Sequence, residues 1–377
     1  MSTIPWETIN PDGRWRVIVT KRLPGTEWID ILVGAGCRLE ICSSDEILSG
    51  EEIASAIGDT CHGAIGQLTE NWGKDLFTVF KKAGGIVYSN YAVGFNNIDL
   101  DAATRLSIPV GNTPGVLTET TAEMAVALTF ATARRTGEAE RYLRDGRYGG
   151  WLPTLFLGEL LSRKTVGIIG AGRIGAAYGR MMAEGHKTDL LYFDPYPNQT
   201  LEDYIGDYSR FLESKGEPPV KCRRVESVEE LLRESDCVSI HTTLDESTHH
   251  LIDARRLALM KENALLINTS RGPVIDEAAL VRHCRRYTKF RAGLDVFEKE
   301  PQLADGLDHL ENVVIVPHIA SATRWTRNGM AMLAARNVSA TLKGYPLWTK
   351  PDITPFLQSD SPQAVPSIVN AGELGLS

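Results

Sequence analysis

The stretch TVGIIGAGRIGAAYGRMMAEGHKTDLLYFD, residues 165–194, decides the fold of this chain. Its first five residues, Thr165–Ile169, form the short apolar run that is typical of a buried parallel strand. A glycine-rich turn follows at 170–175, and helix-forming residues continue from it. A second apolar run, at 190–193, ends on Asp194. This order of strand, turn, helix, strand and acid predicts a dinucleotide-binding βαβ unit.

Each glycine of the turn has its own task in such a unit. Gly170 allows the tight turn, Gly172 lets backbone amides approach a pyrophosphate, and Gly175 lets the helix pack closely on the strand. The helix N-terminus presents free N–H groups and a partial positive charge to the phosphates. Asp194 can accept hydrogen bonds from the adenosine ribose and repels a 2′-phosphate, and no Arg or Lys follows it at 195–198. The sequence therefore predicts NAD(H) rather than NADP(H).

Composition narrows the class of protein. The chain has 377 residues and a formal net charge of −8 at pH 7, with 43% hydrophobic and 23% charged residues. This length accommodates two domains with sizeable cores. The negative charge argues against nucleic acid or an anionic membrane as the main partner. The six cysteines show no CxxC pair and no metal-ligand spacing, so we expect buried reduced thiols and no metal site.

Targeting signals are not evident in the sequence. The N-terminal residues lack a basic region followed by an apolar core, and no apolar run is long enough to span a bilayer. The last three residues, Gly375-Leu376-Ser377, are not a peroxisomal tripeptide. We therefore expect a cytoplasmic protein.

The sequence on either side of the dinucleotide unit indicates two α/β domains. Strand-like and helix-like patterns alternate over residues 15–110, which predicts a smaller parallel domain. The sequence NTPG, residues 112–115, is typical of a turn and ends this alternating pattern before a long predicted apolar helix. Far downstream, the helix predicted at 323–342 is long enough to return to the first domain. We therefore assign residues 1–116 and 324–377 to a discontinuous substrate domain, and 117–323 to a coenzyme domain.

Four features of the sequence carry no catalytic or ligand-binding pattern of their own. The polar insertion at 195–224 contains one amphipathic helix, and the Pro- and Ser-rich tail at 351–377 is expected to be a surface wrap or partly disordered. Trp151 could be an interface residue, but tryptophan side chains are on average largely buried, which favours a place in the core. His249 and His250 lack a carboxylate or cysteine at ligand spacing, so we interpret them as surface residues.

Polar side chains follow four consecutive predicted strands of the coenzyme domain: His241, Ser270 with Arg271, 298–300, and His318. The carboxyl ends of parallel strands meet at one edge of a sheet, where ligands bind. There Arg271 offers a planar fork for a carboxylate and a carbonyl oxygen. His318 can act as a general acid near neutral pH, and Glu300, if it contacts His318, favours the imidazolium. Together they suit hydride transfer to a 2-oxo acid.

A loop of the first domain is a second candidate for substrate binding. The segment SNYAVGFNN, residues 89–97, follows a predicted strand at its carboxyl end. Gly94 frees a turn whose backbone amides could hold a carboxylate. An ordinary βα loop explains the same residues equally well.

Four motifs resemble the D-isomer-specific 2-hydroxyacid dehydrogenase family: VGIIGAGRIG, INTSRGPVIDEAALV, LDVFEKEP and VPHIASAT. Further segments, among them PGTEWIDILVGAGCRLEIC, SNYAVGFNNIDL and VGNTPGVLTETTAE, resemble its NADH-dependent hydroxypyruvate reductases of the plant photorespiratory type. The likeness runs from about residue 15 to the tail. It implies two Rossmann-like domains, with a doubly wound coenzyme domain inserted into a smaller flavodoxin-like substrate domain. It also implies homodimers formed through the coenzyme domains.

The resemblance assigns roles to individual residues. It implies that Arg271 binds substrate, Glu300 supports the histidine, and His318 is the acid–base. The backbone amides of Val93 and Gly94 would hold the substrate carboxylate. The residues that would line NAD(H), besides the three glycines, are Thr118, Arg173, Ile174, Asp194, His241, Thr269 and Asp295, with Asp295 near the carboxamide.

The resemblance implies reduction of hydroxypyruvate to D-glycerate, and of glyoxylate to glycolate as a secondary activity. Another D-2-hydroxyacid dehydrogenase, such as a D-lactate dehydrogenase, is the nearest alternative. An NAD-sensing corepressor-like protein is the alternative from another class, because that branch also keeps an Arg–Glu–His set. Many relatives carry His-x-Pro-Leu where this chain has His241-Thr242-Thr243-Leu244, which leaves the adenine-side contacts open.

Overall fold

The computed structural model describes residues 4–376 and divides into two compact units. Unit 1 combines Met1–Leu117 with Ala322–Ser377, and unit 2 is the continuous segment Thr118–Ser321. The chain therefore leaves unit 1, completes unit 2 and returns to unit 1.

The secondary-structure elements are numbered in chain order. The strands are β1 (Trp6–Ile9), β2 (Trp15–Val19), β3 (Cys37–Cys42), β4 (Gly63–Gly66), β5 (Val87–Asn90), β6 (Val110–Gly111), β7 (Thr165–Ile169), β8 (Asp189–Phe193), β9 (Cys222–Arg224), β10 (Cys237–Ile240), β11 (Leu265–Asn268), β12 (Arg291–Leu294) and β13 (Val313–Ile315). The helices are α1 (Glu27–Gly34), α2 (Gly50–Ile57), α3 (Lys74–Lys82), α4 (Leu100–Arg105), α5 (Thr118–Ala133), α6 (Thr136–Arg144), α7 (Arg173–His186), α8 (Gln199–Ser214), α9 (Val228–Glu234), α10 (Ala254–Leu257), α11 (Glu277–Arg286) and α12 (Arg324–Leu342).

Unit 1 is built on one sheet with the strand order β1-β3-β2-β4-β5-β6. The strands β2 to β6 are all parallel. When β2 is counted as the first, their order in the sheet is the flavodoxin-like 2-1-3-4-5. The edge strand β1 is antiparallel to β3 and was not predicted, because its four residues alternate too little to stand out. The predicted flavodoxin-like substrate domain is otherwise confirmed.

The C-terminal tail is part of unit 1 rather than a disordered extension. The buried Asn370 accepts a hydrogen bond from Val110 N at 2.9 Å and donates one to Ile108 O at 3.0 Å. Ile368 forms a β-bridge with Gly111. Helix α12 anchors the same region, because the buried Asn337 accepts a hydrogen bond from Ser367 N at 3.0 Å. The tail thus secures the last strand of the sheet.

Unit 2 is a doubly wound sheet with the strand order β13-β12-β11-β10-β7-β8-β9, all parallel. One core packs α5, α7 and α8 against one face of the sheet, and another packs α9, α10 and α11 against the opposite face. The chain order reverses between β7 and β10, and open α/β sheets bind ligands at such a switch point. The predicted Rossmann domain is confirmed, and the polar insertion contributes α8 and the edge strand β9 to it.

The structure overturns one expectation about a single residue and agrees with the reduced cysteines. Trp151 is 79% exposed and does not belong to the core. The six cysteines are free thiols, with Cys222 half-buried and the others buried. Among residues 4–376, no helix is long and apolar enough to cross a membrane.

Candidate active site

The glycine-rich turn between β7 and α7 has a shape that only glycine permits. Gly170 has φ +90°, and a Cβ there would lie 2.8 Å from the carbonyl carbon of His241. A Cβ on Gly175 would lie 2.1 Å from Gly170 O. Gly172 faces open space, with nothing within 4 Å of its Cβ direction, and no side chain caps α7. The first N–H groups of α7 are therefore presented to a ligand, as a pyrophosphate requires.

Asp194, directly after β8, ties the end of that strand to the glycine-rich turn. Its Oδ2 accepts a hydrogen bond from Ala171 N at 2.9 Å, and its Oδ1 accepts one from Tyr196 N at 3.0 Å. Arg224, at the end of β9, donates to the carbonyl oxygens of Asp194 and Pro195 at 3.1 Å each. The sequence did not reveal this guanidinium beside Asp194, because it stands 30 residues downstream.

Two predicted cofactor residues carry buried polar atoms that the described part of the chain leaves unpaired. His241, after β10, bonds Ser239 Oγ through Nε2 at 2.8 Å, whereas its Nδ1 has no partner there. Burial lowers the pKa of His241 to about 3, so the ring is neutral. Thr269 Oγ1, after β11, is equally enclosed and unpaired. An unpaired buried polar atom costs about 1–3 kcal/mol, so a hydrogen-bonding ligand at this edge would stabilise the site. These features fit a dinucleotide.

The other residues predicted to line the cofactor also lie in unit 2. Thr118 is the first residue of α5, and Arg173 and Ile174 open α7. Asp295 is fully buried after β12, where its carboxylate accepts hydrogen bonds from Ile319 N at 2.6 Å and Ala320 N at 2.9 Å. Burial raises the pKa of Asp295, and these backbone bonds oppose the shift. Asp295 therefore holds the loop that carries His318, and its contact with a carboxamide stays a prediction.

Arg271 is positioned by a tight turn at the end of β11. Asn268 Nδ2 donates to Arg271 O at 2.9 Å, and Asn268 Oδ1 accepts a hydrogen bond from Ser270 N at 3.0 Å. A Cβ on the next residue, Gly272, would lie 1.9 Å from the carbonyl carbon of Phe297. Glycine is therefore required for the Arg271 turn to pack on the segment that carries Glu300. Burial lowers the pKa of Arg271, and the charge of Glu300 opposes this shift.

Glu300 and His318 are in direct contact. Glu300 Oε2 lies 2.8 Å from His318 Nδ1, and Glu300 Oε1 accepts a hydrogen bond from Phe297 N at 3.0 Å. Burial raises the pKa of Glu300, but the hydrogen bond and charge of His318, with help from Phe297 N and Arg271, outweigh it and leave the pKa lowered. Glu300 is thus an ionised carboxylate at neutral pH. Because Nδ1 of His318 is engaged, Nε2 is the ring nitrogen available to a substrate.

The structure therefore gathers the ends of β11, β12 and β13 around one acid–base pair and one guanidinium. His318 has φ +51°, and its N donates to Asp295 O at 2.8 Å. This strained turn aims the imidazole back over the strand ends. The arrangement can bind an anionic oxo compound and donate a proton to it.

The two residues predicted in unit 1 lie on the loop after β5. Asn112 Nδ2 donates to Val93 O at 2.9 Å, and Asn90 Nδ2 donates to Gly94 O at 2.9 Å. Two buried asparagine side chains thus fix the backbone of this loop. A fixed backbone is what anion binding through amides needs.

The sequence predicts that His249 and His250 lie on the surface; His249 is exposed, whereas His250 is half-buried and has a carboxylate partner. Its Nε2 lies 3.0 Å from Glu298 Oε1, and its side chain is 36% exposed. Glu298 is two residues from Glu300, but 48 residues separate it from His250, so no local pattern could announce the pair. His250 therefore belongs to the polar surroundings of the acid–base pair.

Replacing Asp194 with alanine tests the basis of cofactor choice. We expect the affinity for NADH to fall roughly ten- to a hundredfold, the value of one or two charge-assisted hydrogen bonds. NADPH should lose less, because the repulsive carboxylate is gone and Arg224 remains nearby. Asp207→Ala, on the exposed face of α8, is the control. Equal kcat/KM for NADH and NADPH in the unmutated protein would contradict the assignment.

Comparison with known proteins adds independent information. A family model described as D-isomer specific 2-hydroxyacid dehydrogenase, NAD binding domain, matches residues 126–320. The peroxisomal glycerate dehydrogenase HPR of Arabidopsis thaliana is 56% identical over 98% of this chain and 97% of its own length. A glyoxylate reductase of Thermococcus litoralis is 44% identical over 68% of this chain and 74% of its own. The crystal structure of a glyoxylate reductase from Paecilomyes thermophila superposes with a TM-score of 0.74 at 26% identity, covering 89% and 98% of the two chains.

Proposed function

The chain belongs to the D-isomer-specific 2-hydroxyacid dehydrogenase family, and from this premise we propose that it reduces hydroxypyruvate to D-glycerate with NADH. Reduction of glyoxylate to glycolate is the proposed secondary activity. The names of the Arabidopsis and Thermococcus relatives support these two substrates. The observation that carries the proposal is the contact of Glu300 with His318 at 2.8 Å, beside the half-buried Arg271.

Each residue of this group has a distinct part in the proposed reduction. NADH, when bound along the glycine-rich turn and Asp194, supplies the hydride to the carbonyl carbon of the substrate. Arg271 binds the carboxylate and carbonyl oxygens of the 2-oxo acid through its planar fork. His318, protonated on both ring nitrogens, donates its Nε2 proton to the oxygen that becomes the hydroxyl. It is left neutral, with its Nδ1–H donating to the ionised Glu300.

The loop of unit 1 has a proposed role in the same reaction. The backbone N–H groups of Val93 and Gly94 would hold the substrate carboxylate, as the family resemblance implies. Support comes from the two asparagine hydrogen bonds that fix this loop. Backbone donors that need no reorganisation bind an anion at low entropic cost.

Steady-state kinetics over a panel of 2-oxo acids test the proposed function. We expect kcat/KM with NADH to be highest for hydroxypyruvate, lower for glyoxylate and lowest for pyruvate. A preference for pyruvate would favour the D-lactate alternative. Slow, unselective turnover, together with NADH-dependent binding of a partner peptide, would favour a corepressor-like protein and contradict the proposal.

Replacing Glu300 with glutamine tests the electrostatic half of the mechanism. The ionised carboxylate of Glu300 lies 2.8 Å from His318 Nδ1, and a negative charge at that distance attracts an imidazolium. The rate of reduction should fall as pH rises and His318 loses its proton. In Glu300→Gln this fall should move about one pH unit or more toward acid, with a modest loss at the acidic optimum. Reverse oxidation should improve with pH, starting from a lower pH than in the unmutated protein.

The exposed Glu262→Gln variant is the control for the loss of one charge. An identical pH–rate profile in Glu300→Gln and the unmutated protein would contradict the role of Glu300.

We propose in addition that the protein is a homodimer formed through unit 2. Support comes from the chain segment between α6 and β7, in which four large apolar side chains, Trp151, Leu152, Leu157 and Leu160, are 58–79% exposed. Exposed apolar surface of this kind marks protein interfaces. Sedimentation velocity of the full chain at micromolar concentration tests this, and a monomeric mass would contradict it. A cytoplasmic location stays a prediction, because the Arabidopsis relative is named as peroxisomal; fractionation of the source cells tests it.

A further inference from the structure

The segment that carries Glu300, residues 297–304, runs on from the end of β12 without forming a helix or strand. Within the segment, a backbone bridge joins Lys299 and Gln302, and Phe297 N donates to Glu300 Oε1. A catalytic carboxylate must be held to within a fraction of an ångström. The 297–304 segment therefore needs anchors from elsewhere in unit 2.

Glu277, the first residue of α11, supplies anchors on both sides of Glu300. Its Oε1 accepts a hydrogen bond from Glu298 N at 3.4 Å, and its Oε2 accepts one from Ala304 N at 3.1 Å. In the opposite direction, Glu277 N donates to Glu298 Oε2 at 3.2 Å. Glu277 is only 4% exposed. One buried side chain thus clamps the segment two residues before Glu300 and four residues after it.

The charge of Glu277 is unusual for so buried a position. Burial raises the pKa of Glu277, the nearby charges of Glu298 and Glu300 raise it further, and the two backbone bonds oppose this. The positive end of α11 also favours the carboxylate. An apolar side chain would avoid the desolvation cost of a buried charge but would leave both backbone N–H groups without an acceptor. An amide has one acceptor oxygen, so a carboxylate is the side chain that serves both anchors.

Two charged groups act on Glu277 directly, Glu298 and Glu300, both on the 297–304 segment. Glu298 pairs with His250 and Glu300 with His318. Glu277 and Glu300 repel each other, as the pKa shift of Glu277 records. An ionised Glu277 therefore adds negative potential around the pair formed by Glu300 and His318.

We propose that Glu277 is a positioning residue for the acid–base pair: it clamps the Glu300 segment on both sides, and its negative charge adds to that of Glu300 beside His318. Glu277 acts through Glu300 and touches no substrate. The inference rests on the proposed function, and its test uses the full-length protein with NADH and hydroxypyruvate.

Two substitutions test the charge and the clamp. Glu277→Gln keeps the length of the side chain but removes the charge and turns one of the two acceptor oxygens into an amide donor. In this variant, the pH at which the rate of reduction falls should move about half a unit toward acid. This shift is smaller than in Glu300→Gln because the charge of Glu277 is further from His318. Glu277→Asp keeps the charge but cannot reach both anchors. The kcat of Glu277→Asp should fall about tenfold. The pH at which the rate of reduction falls, and the KM for NADH, should not change.

Asp276→Asn is the matched control, because Asp276 caps the same helix through Ala279 N at 2.8 Å and makes no bond to the 297–304 segment in the described structure. This variant loses one charge at the same helix end. It should leave kcat unchanged, and the pH at which the rate of reduction falls should move less than in Glu277→Gln. The proposal is overturned if the rate of reduction falls at the same pH in Glu277→Gln as in the unmutated protein, or if kcat is unchanged in Glu277→Asp. The two variants fail independently, so a folding defect in one leaves the other decisive. If the unmutated protein does not reduce hydroxypyruvate, the proposed function fails instead.

Discussion

His318→Ala is expected to reduce hydroxypyruvate roughly a hundred- to ten-thousandfold more slowly than the unmutated protein, the value of a positioned general acid. The loss should be in kcat, because the proton is transferred only as the carbonyl oxygen gains charge. Affinity for NADH should change little, since the glycine-rich turn and Asp194 are untouched. Stopped-flow or steady-state absorbance of NADH measures the rate.

Two further variants make this result interpretable. His318 has φ +51°, so alanine there carries backbone strain, whereas asparagine tolerates this conformation better. His318→Asn should be as inactive as His318→Ala and fold at least as well. His309→Ala removes an imidazole whose side chain is 85% exposed and serves as the control. Near-normal turnover in His318→Asn would exclude His318 as the general acid.

The parts of the fold that sequence alone predicted are those with a local signal. The dinucleotide unit is encoded in one stretch, because a β-branched run, three glycines and an acid each leave a trace within 30 residues. The residues Arg271, Glu300 and His318 were predictable for a related reason. Each follows an apolar run, and parallel strands of one sheet place such residues at a common edge.

What the sequence did not announce depends on pairs that are distant in the chain. Asn370 bonds Val110 from 260 residues away, so the sequence indicated only a surface wrap or a partly disordered tail. Arg224 reaches Asp194 from a different strand. Trp151 is exposed although its residue type suggested a place in the core. The exposure of a side chain depends on which other parts of unit 2 pack against it.

Within the site, the roles of neighbouring acids were also hidden. Asp295, Glu277 and Glu298 all belong to motifs that the sequence analysis quoted, yet nothing in those motifs tells which carboxylate faces a ligand and which holds a loop. The structure separates them by their partners. Glu300 faces His318, Asp295 holds the amides of Ile319 and Ala320, and Glu277 clamps the Glu300 segment.

Arg271→Lys is expected to lower kcat/KM for hydroxypyruvate by roughly a hundredfold or more, although the charge is formally kept. A lysine has one nitrogen in place of the planar fork, so it cannot hold a carboxylate and a carbonyl oxygen together. Burial, which already lowers the pKa of Arg271, would act on an ammonium as well and favour its neutral form. Arg256→Lys, a half-buried arginine that bonds Glu229 and Leu251 O, is the matched control and should leave kcat/KM unchanged. NADH binding, followed by fluorescence titration, should barely change in Arg271→Lys. A large loss of NADH affinity with intact turnover would instead place Arg271 in the cofactor site.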